Sequence, residues 1–377
     1  MSGIYIHIPF CKQSCHYCDF HFSTTFKGYR DRMIAALCRE IELQKHFLNT
    51  PLETLYFGGG TPSLLTAEEV KQIIKTVRNT FDASALKEIT LEANPDDLSE
   101  TQLHGLYDAG INRLSIGIQS FFDEDLQYMN RAHNSEQALR CVALAKQAGI
   151  ENISIDLIYG FPGLTDDKWQ RNLDAAIAMG VSHISSYAMT VETGTALSQH
   201  ILKGKSPALD DEQSIQHFKM LQGALNAAGF MHYEISNFAL PEKISQHNSA
   251  YWKGKKYLGI GPSAHSFDGG KRYWNVSNNM RYILEIEQNK VPAESEEITN
   301  GTAYNEYLLT GLRTIWGVED TAIKAFGEQC ANTFYEEVQV YLKSGMVLYT
   351  DGKFTLSDDG KFIADRIASD LFVLSEK

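Results

Sequence analysis

The sequence predicts an α/β fold: a partial (βα)6 barrel followed by a smaller, winged-helix-like α+β domain at the C-terminus. Three observations carry that expectation. Between residues 3 and 188, short apolar or β-branched runs alternate with longer segments of helical periodicity, the pattern of parallel strands joined by crossover helices. The unusual motifs of this half fall just after those runs, where the loops at the C-terminal ends of barrel strands carry chemistry. From residue 302 onward the text changes to short helices, two short strands around Thr350-Asp351-Gly352 and a last helix.

Six βα units can be counted. The strand candidates are residues 3–8, 54–57, 88–92, 113–118, 153–158 and 184–189, with helical patterns at 29–47, 67–81, 100–109, 135–148 and 167–179. Gly110, Gly149 and Gly180 stand where helix stops are expected. Because parallel crossovers are right-handed, six consecutive units curl into a barrel or part of one. The expected division is a barrel over residues 1–195, an extension over 196–295 and the winged-helix-like domain over 296–377. The extension opens with a polar helix near 210–228 and continues into aromatic, His- and Gly-rich text over 231–274.

At 377 residues, 43% hydrophobic and 21% charged, the chain is long enough for one large core and an appended domain. A formal net charge of -13 argues against nucleic-acid binding, which takes clustered Lys and Arg to neutralise phosphates. A small or hydrophobic partner fits better. Residues Met1 to Phe10 have no basic region, no sustained apolar stretch and no small-residue cleavage site. No apolar run reaches the roughly 18 residues of a membrane span. The expectation is a cytoplasmic protein without a transmembrane segment, with peripheral membrane contact left open.

Of the six cysteines, Cys38, Cys141 and Cys330 are scattered and read as buried, inert thiols. Cys11, Cys15 and Cys18 instead form one knot after the first strand, which in a reducing compartment points to a metal site rather than a disulfide. Three thiolates on a four-iron cubane leave one iron without a protein ligand. The amino and carboxylate groups of S-adenosylmethionine (SAM) suit that open position, with the protein supplying orientation and shielding. The competing reading is zinc, because His16 and His21 lie within reach. Zinc frameworks usually present two separated ligand pairs, and a single knot favours the cluster. Phe10, Tyr17, Phe20 and Phe22 around it either pack or exclude water from a redox centre.

Cys-x3-Cys-x2-Cys after a first strand, followed by Gly58-Gly59-Gly60-Thr61-Pro62, resembles the radical SAM superfamily. The narrower likeness is to the oxygen-independent coproporphyrinogen III oxidase group and its relatives, and spans nearly the whole chain. It runs from Tyr5-Ile6-His7-Ile8-Pro9-Phe10-Cys11 through Asp156-Leu157-Ile158-Tyr159-Gly160 to Tyr304-Asn305-Glu306-Tyr307 and Leu312-Arg313. The glycines, which lack Cβ atoms, let backbone approach a ligand; alone they would be a tight turn, but their place after strand two suits the SAM amino group. Glu92 is either a solvated strand end or, at a barrel mouth, a partner for ribose hydroxyls. The resemblance implies that Gln119, Arg131 and Asp156 line the adenosyl pocket, and that Tyr5, Tyr17, Gly59, Gly60, Thr61 and Ala188 belong to the same site.

Two features separate this chain from the oxidases. Their pattern continues to a fourth cysteine where this chain has Phe20, and they carry an extension ahead of the first strand, whereas here the strand starts at once. The positive signal is His247-Asn248-x2-Tyr251-Trp252, which resembles the His-Asn-x2-Tyr-Trp motif linked with haem in the HemW-like haem chaperone group. Imidazole can ligate haem iron and aromatic rings offer faces to a porphyrin; the bland reading is a packed aromatic corner. His265 is a second candidate haem ligand. The resemblance thus implies a [4Fe–4S] cluster, SAM, haem as cargo and a recipient apo-haemoprotein such as a respiratory enzyme. Oxidative decarboxylation of coproporphyrinogen III is the enzymatic alternative, and radical SAM modification of RNA is disfavoured by the acidic charge.

Overall fold

Alternation of side chains along six strands decides how the first half closes. A computed structural model describes residues 2–373. In chain order it runs β1 (Ser2–Ile8), α1 (Arg30–Leu43), β2 (Leu52–Gly59), α2 (Ala67–Thr80), β3 (Glu88–Ala93), α3 (Glu100–Ala109) and β4 (Arg113–Gln119). It continues with α4 (Asp123–Tyr128), α5 (Ser135–Gln147), β5 (Asn152–Tyr159), α6 (Asp166–Ala178) and β6 (His183–Ala188). β1 to β6 are neighbours in sequence order and all parallel. Ile4, Ile6, Ile8, Leu55, Phe57, Leu91, Leu114 and Ile116 are fully buried in the apolar core. The residues between them, Tyr5, Tyr56, Glu92, Ser115 and Asp156, turn to the inside of the curve, where polar groups meet one another. Gly110, Gly149 and Gly180 adopt φ of 104°, 94° and 62°, the left-handed stops expected of them.

The loss of βα rhythm after residue 195 does not end the sheet. α7 (Ala196–Leu202) and α8 (Asp211–Ala227) lead to β7 (Met231–Glu234) and β8 (Asn237–Ala239), and β8 pairs antiparallel with β6. The chain then passes through α9 (Gln246–Trp252) to the opposite edge, where β9 (Tyr257–Ile260) pairs parallel with β1. β10 (His265–Phe267) and β11 (Lys271–Asn275) follow, then α10 (Asn279–Glu287) and β12 (Ala293–Glu297). The result is one twelve-stranded sheet in the order β12-β11-β10-β9-β1-β2-β3-β4-β5-β6-β8-β7. Glu40 of α1 fastens the far edge. Its buried carboxylate accepts hydrogen bonds from Gly261 N–H (2.8 Å), the Tyr282 hydroxyl (2.6 Å) and Asn275 Nδ2 (2.7 Å). Burial pushes the Glu40 carboxyl up to about 7, against the pull of those donors.

The C-terminal part has its own core around Tyr304, Leu308, Phe334, Val338, Phe354 and Ile367. It runs α11 (Asn300–Leu312), β13 (Val318–Glu319), α12 (Asp320–Ala325), α13 (Glu328–Lys343), β14 (Val347–Thr350), β15 (Lys353–Leu356) and α14 (Ala364–Asp370). β14 and β15 are the hairpin expected of the winged-helix-like domain, and β13, not expected, pairs with β15 to make a three-stranded antiparallel sheet. The hairpin turn is Asp351-Gly352, with φ of 52° and 79°, as a two-residue primed turn demands. Among the described residues no helix is long and apolar enough to cross a membrane.

Candidate cofactor site at the barrel mouth

The loop after β1 is tied back on its own strand end. Ser23 N–H donates to Pro9 O (2.9 Å) and Cys11 N–H to Ser23 O (3.1 Å), while Cys18 N–H reaches Cys15 O at 3.3 Å. The end of β2 is laced against it: Gly60 N–H donates to Ile8 O (2.8 Å) and Thr61 N–H to Phe10 O (2.7 Å). The Thr61 hydroxyl donates to Cys11 Sγ at 3.4 Å. Gly60 has no room for a side chain, since a Cβ there would stand 2.6 Å from Phe10 O and 2.9 Å from Ile8 O. Gly59 holds φ at +107°, which L side chains resist.

Arg131, from the loop between α4 and α5, joins three of these parts. One terminal nitrogen donates to Cys15 Sγ (3.4 Å) and the Tyr17 hydroxyl (3.5 Å), the other to Asn94 Oδ1 (2.6 Å) and Gly117 O (2.8 Å). Gln119 sits at the irregularity where the β4–β5 register shifts, with a strained φ of 68° that turns it into the mouth. Asn94 escaped the sequence reading as a site residue. Its signal was position: two residues beyond Glu92 at the end of the same strand.

These groups surround a cavity of about 470 Å³, the size of a small-molecule site. Cys11, Tyr17, Cys15, Cys18, Gly59, Gly60, Thr61, Glu92, Gln119, Arg131, Asp156 and Ala188 all line it. Tyr5 is the one SAM candidate that is not among the lining residues. It lies beneath the floor, its ring stacked on Tyr56 at 6.1 Å and its hydroxyl 3.2 Å from His7 Nδ1. Phe20, 67% exposed, stands at the rim of the cavity.

The donor set fits a cubane better than a single ion. A cubane would take its thiolates on three separate irons. His16 and His21 are engaged elsewhere, through Tyr128 O (2.8 Å) and Asn279 Oδ1 (2.7 Å). Three free thiols of one loop open into one cavity. Arg131 Nε is a buried donor without a partner beside it, and the glycine edge offers bare backbone, both suited to a polar ligand such as SAM.

Deeper in the mouth, Glu92 accepts from the Tyr56 hydroxyl (2.7 Å) and Gly59 N–H (3.2 Å), and Ser115 donates to Asp156 at 3.3 Å. Burial, aided by the neighbouring Asp156, pushes the Glu92 carboxyl up to about 7, and burial raises Asp156 to about 6. A carboxylate accepts a pair of ribose hydroxyls with both oxygens only when ionised. SAM affinity is therefore expected to be highest above pH 7 and to fall as protons bind at lower pH, by roughly tenfold for each proton-linked pH unit. Anaerobic calorimetry across pH 5.5 to 8 checks this, with Glu92→Gln flattening the profile; a level wild-type curve would count against it.

The haem candidates lie elsewhere. α9 closes the N-terminal end of the barrel, where Glu88 accepts from Gln246 N–H (3.1 Å) and His247 N–H (2.9 Å). His247 is 2% exposed and spends both ring nitrogens, one with the Thr54 hydroxyl (2.8 Å), the other with the Tyr251 hydroxyl (2.9 Å). The expectation of an imidazole open to iron is corrected for this conformation: the packed aromatic corner is what forms. Burial lowers its pKa to about 3, so it stays neutral. Tyr56 spans the two ends, donating to Glu92 and stacking on His247 at 4.9 Å. Asn248 and Trp252 are half-buried, and Trp252 Nε1 is enclosed without a partner. His265 is exposed on β10, between β9 and β11, beside Trp274 at 6.5 Å between rings.

A partial parallel barrel whose mouth sets a three-cysteine loop against a glycine-edged strand and buried carboxylates defines a radical SAM protein, and the model of the Radical SAM superfamily matches residues 5–176. Membership implies a [4Fe–4S] cluster and SAM. The chain belongs to the HemW family. It is 34% identical to the haem chaperone HemW of Mycobacterium tuberculosis, over 98% of this chain and 94% of that relative. It is 32% identical to that of Bacillus subtilis, over 97% and 98%. The solved structure of coproporphyrinogen III oxidase (HemN) from Escherichia coli shares the fold, with a TM-score of 0.85 at 22% identity over 99% of this chain and 90% of that one.

Proposed function

We propose that this chain is a haem chaperone, binding haem and passing it to an apo-haemoprotein such as a respiratory enzyme. The observation that carries the reading is similarity along the whole chain to relatives described as haem chaperones. Phe20 supports it, because a phenyl ring at the cavity rim brings neither ligand nor redox chemistry to the position where the oxidases have a fourth cysteine. In this reading Cys11, Cys15 and Cys18 hold the cluster, and Tyr17, Gly59, Gly60, Thr61, Glu92, Gln119, Arg131, Asp156 and Ala188 surround SAM. A cluster with SAM bound supplies one-electron chemistry or a structural ligand. The residues of this chain orient the nucleotide, and Asn94 and Gly117 O keep Arg131 fixed beside Cys15. Haem contacts the α9 region; ligation by His247 requires α9 to leave the barrel end, while His265 is reachable as it stands.

The test is a haem titration of anaerobically reconstituted protein, followed in the Soret band, for wild type, His247→Ala and His265→Ala, with coproporphyrinogen turnover assayed in parallel. Saturable, stoichiometric haem binding without turnover is the expected result. Decarboxylation without haem binding would overturn it in favour of the oxidase. Loss confined to His247→Ala would mean that α9 opens on binding.

A further inference from the structure

The turn that follows α9 carries Lys253, Lys255 and Lys256, all exposed, in a chain whose net charge is -13. Among the described residues none of the three forms an ion pair with a carboxylate. Lys253 Nζ lies 3.9 Å from the centre of the Trp316 ring, a cation–π contact that leaves its charge without a counter-ion. The charge of Lys256 acts on Asp268, which already accepts from Gly270 N–H (2.9 Å), Lys271 N–H (2.8 Å) and the Tyr273 hydroxyl (2.8 Å). Burial and the charge of Lys255 lower the Lys253 pKa, the direction expected of an ammonium without an anion beside it. Ile315, 41% exposed, and half-buried Trp316 place apolar surface next to these charges.

A solvated turn of lysines is the ordinary reading of such text. Its setting differs in two respects: three unpaired cations are grouped on a chain of net charge -13, and an apolar ledge adjoins Lys253. That pairing matches a flat apolar molecule with anionic groups along one side. Haem has this chemistry, an apolar macrocycle with two propionate carboxylates. We propose that Lys253, Lys255 and Lys256 form the docking edge for the propionates of haem, with the ring against Trp316 and Ile315. The inference rests on the haem-chaperone reading and names the part of the cargo that this turn recognises.

Because the three side chains are exposed, the triple variant Lys253→Gln, Lys255→Gln, Lys256→Gln is expected to fold, as checked by an unchanged thermal midpoint and unchanged SAM binding. Wild type and variant are titrated with haem and with haem dimethyl ester, whose propionates carry no charge. Haem affinity is expected to fall roughly tenfold in the variant, as for two or three exposed charge contacts, with the ester binding both proteins alike. Raising the salt concentration should bring wild type toward the variant. Unchanged haem affinity, or an equal loss for the ester, would overturn the docking edge while leaving haem binding intact. A wild type that binds neither compound would overturn the chaperone reading and this inference with it.

Discussion

Cys11→Ser is expected to abolish cluster binding, taking iron from about four per chain to well below one after anaerobic reconstitution and removing the visible absorption of the cluster. The substitution replaces sulfur with a similar-sized hydroxyl in a segment whose backbone is held by Ser23 and Thr61, so the fold should survive. What is lost is the soft thiolate that iron of a cubane prefers. Cys38→Ser is the control, because Cys38 lies on α1, buried in the core and away from the cavity. It should load iron as wild type does. A Cys11→Ser protein with full iron content would remove this residue from the ligand set.

Gly60→Ala is expected to damage both cofactor sites and the fold around them. A new Cβ would press on Phe10 O, Ile8 O and Phe10 N, all backbone atoms of the segment leading into the cysteine loop. They cannot swing away as a side chain would, and the bonds from Gly60 N–H and Thr61 N–H hold the two segments together at this point. Overpacking of this kind costs about 1–3 kcal/mol. The thermal midpoint should drop and iron and SAM loading should fall together. Gly28→Ala, in the connection between the cysteine loop and α1 with nothing within 4 Å of a new Cβ, should change neither. Equal behaviour of the two variants would show that the β1–β2 lacing does not position the site.

The local parts of the fold were legible because they rest on spacing. Short apolar or β-branched runs located all six barrel strands to within two residues at every end, and glycines marked the helix stops because only φ above zero closes them cheaply. The cysteine spacing and the strand-end glycines came from the same short-range logic. α4 and the short edge strands escaped, since six residues or fewer carry too little periodicity to read.

The partners of each side chain were beyond that logic. Glu40 looks like a helix-surface acid until the loop after β9, β11 and α10 each bring a donor to it from more than two hundred residues away. Tyr5 fell below the cavity floor because its ring packs on Tyr56, a contact between strands that no single-strand pattern contains. The motif at His247 has two uses with identical spelling, an open ligand or a satisfied core group. Only the route of the chain from β8 beneath the barrel to β9 brings Thr54 to one nitrogen.

The sequence by itself determined the barrel, its cysteine loop and the family likeness, because strand period, helix stops and ligand spacing are set by neighbours along the chain. Tertiary structure alone decided which nitrogens, carboxylates and lysines are left free to meet a ligand. Burial and hydrogen-bond satisfaction depend on which distant segments arrive, and that is a property of the closed sheet rather than of any stretch of residues.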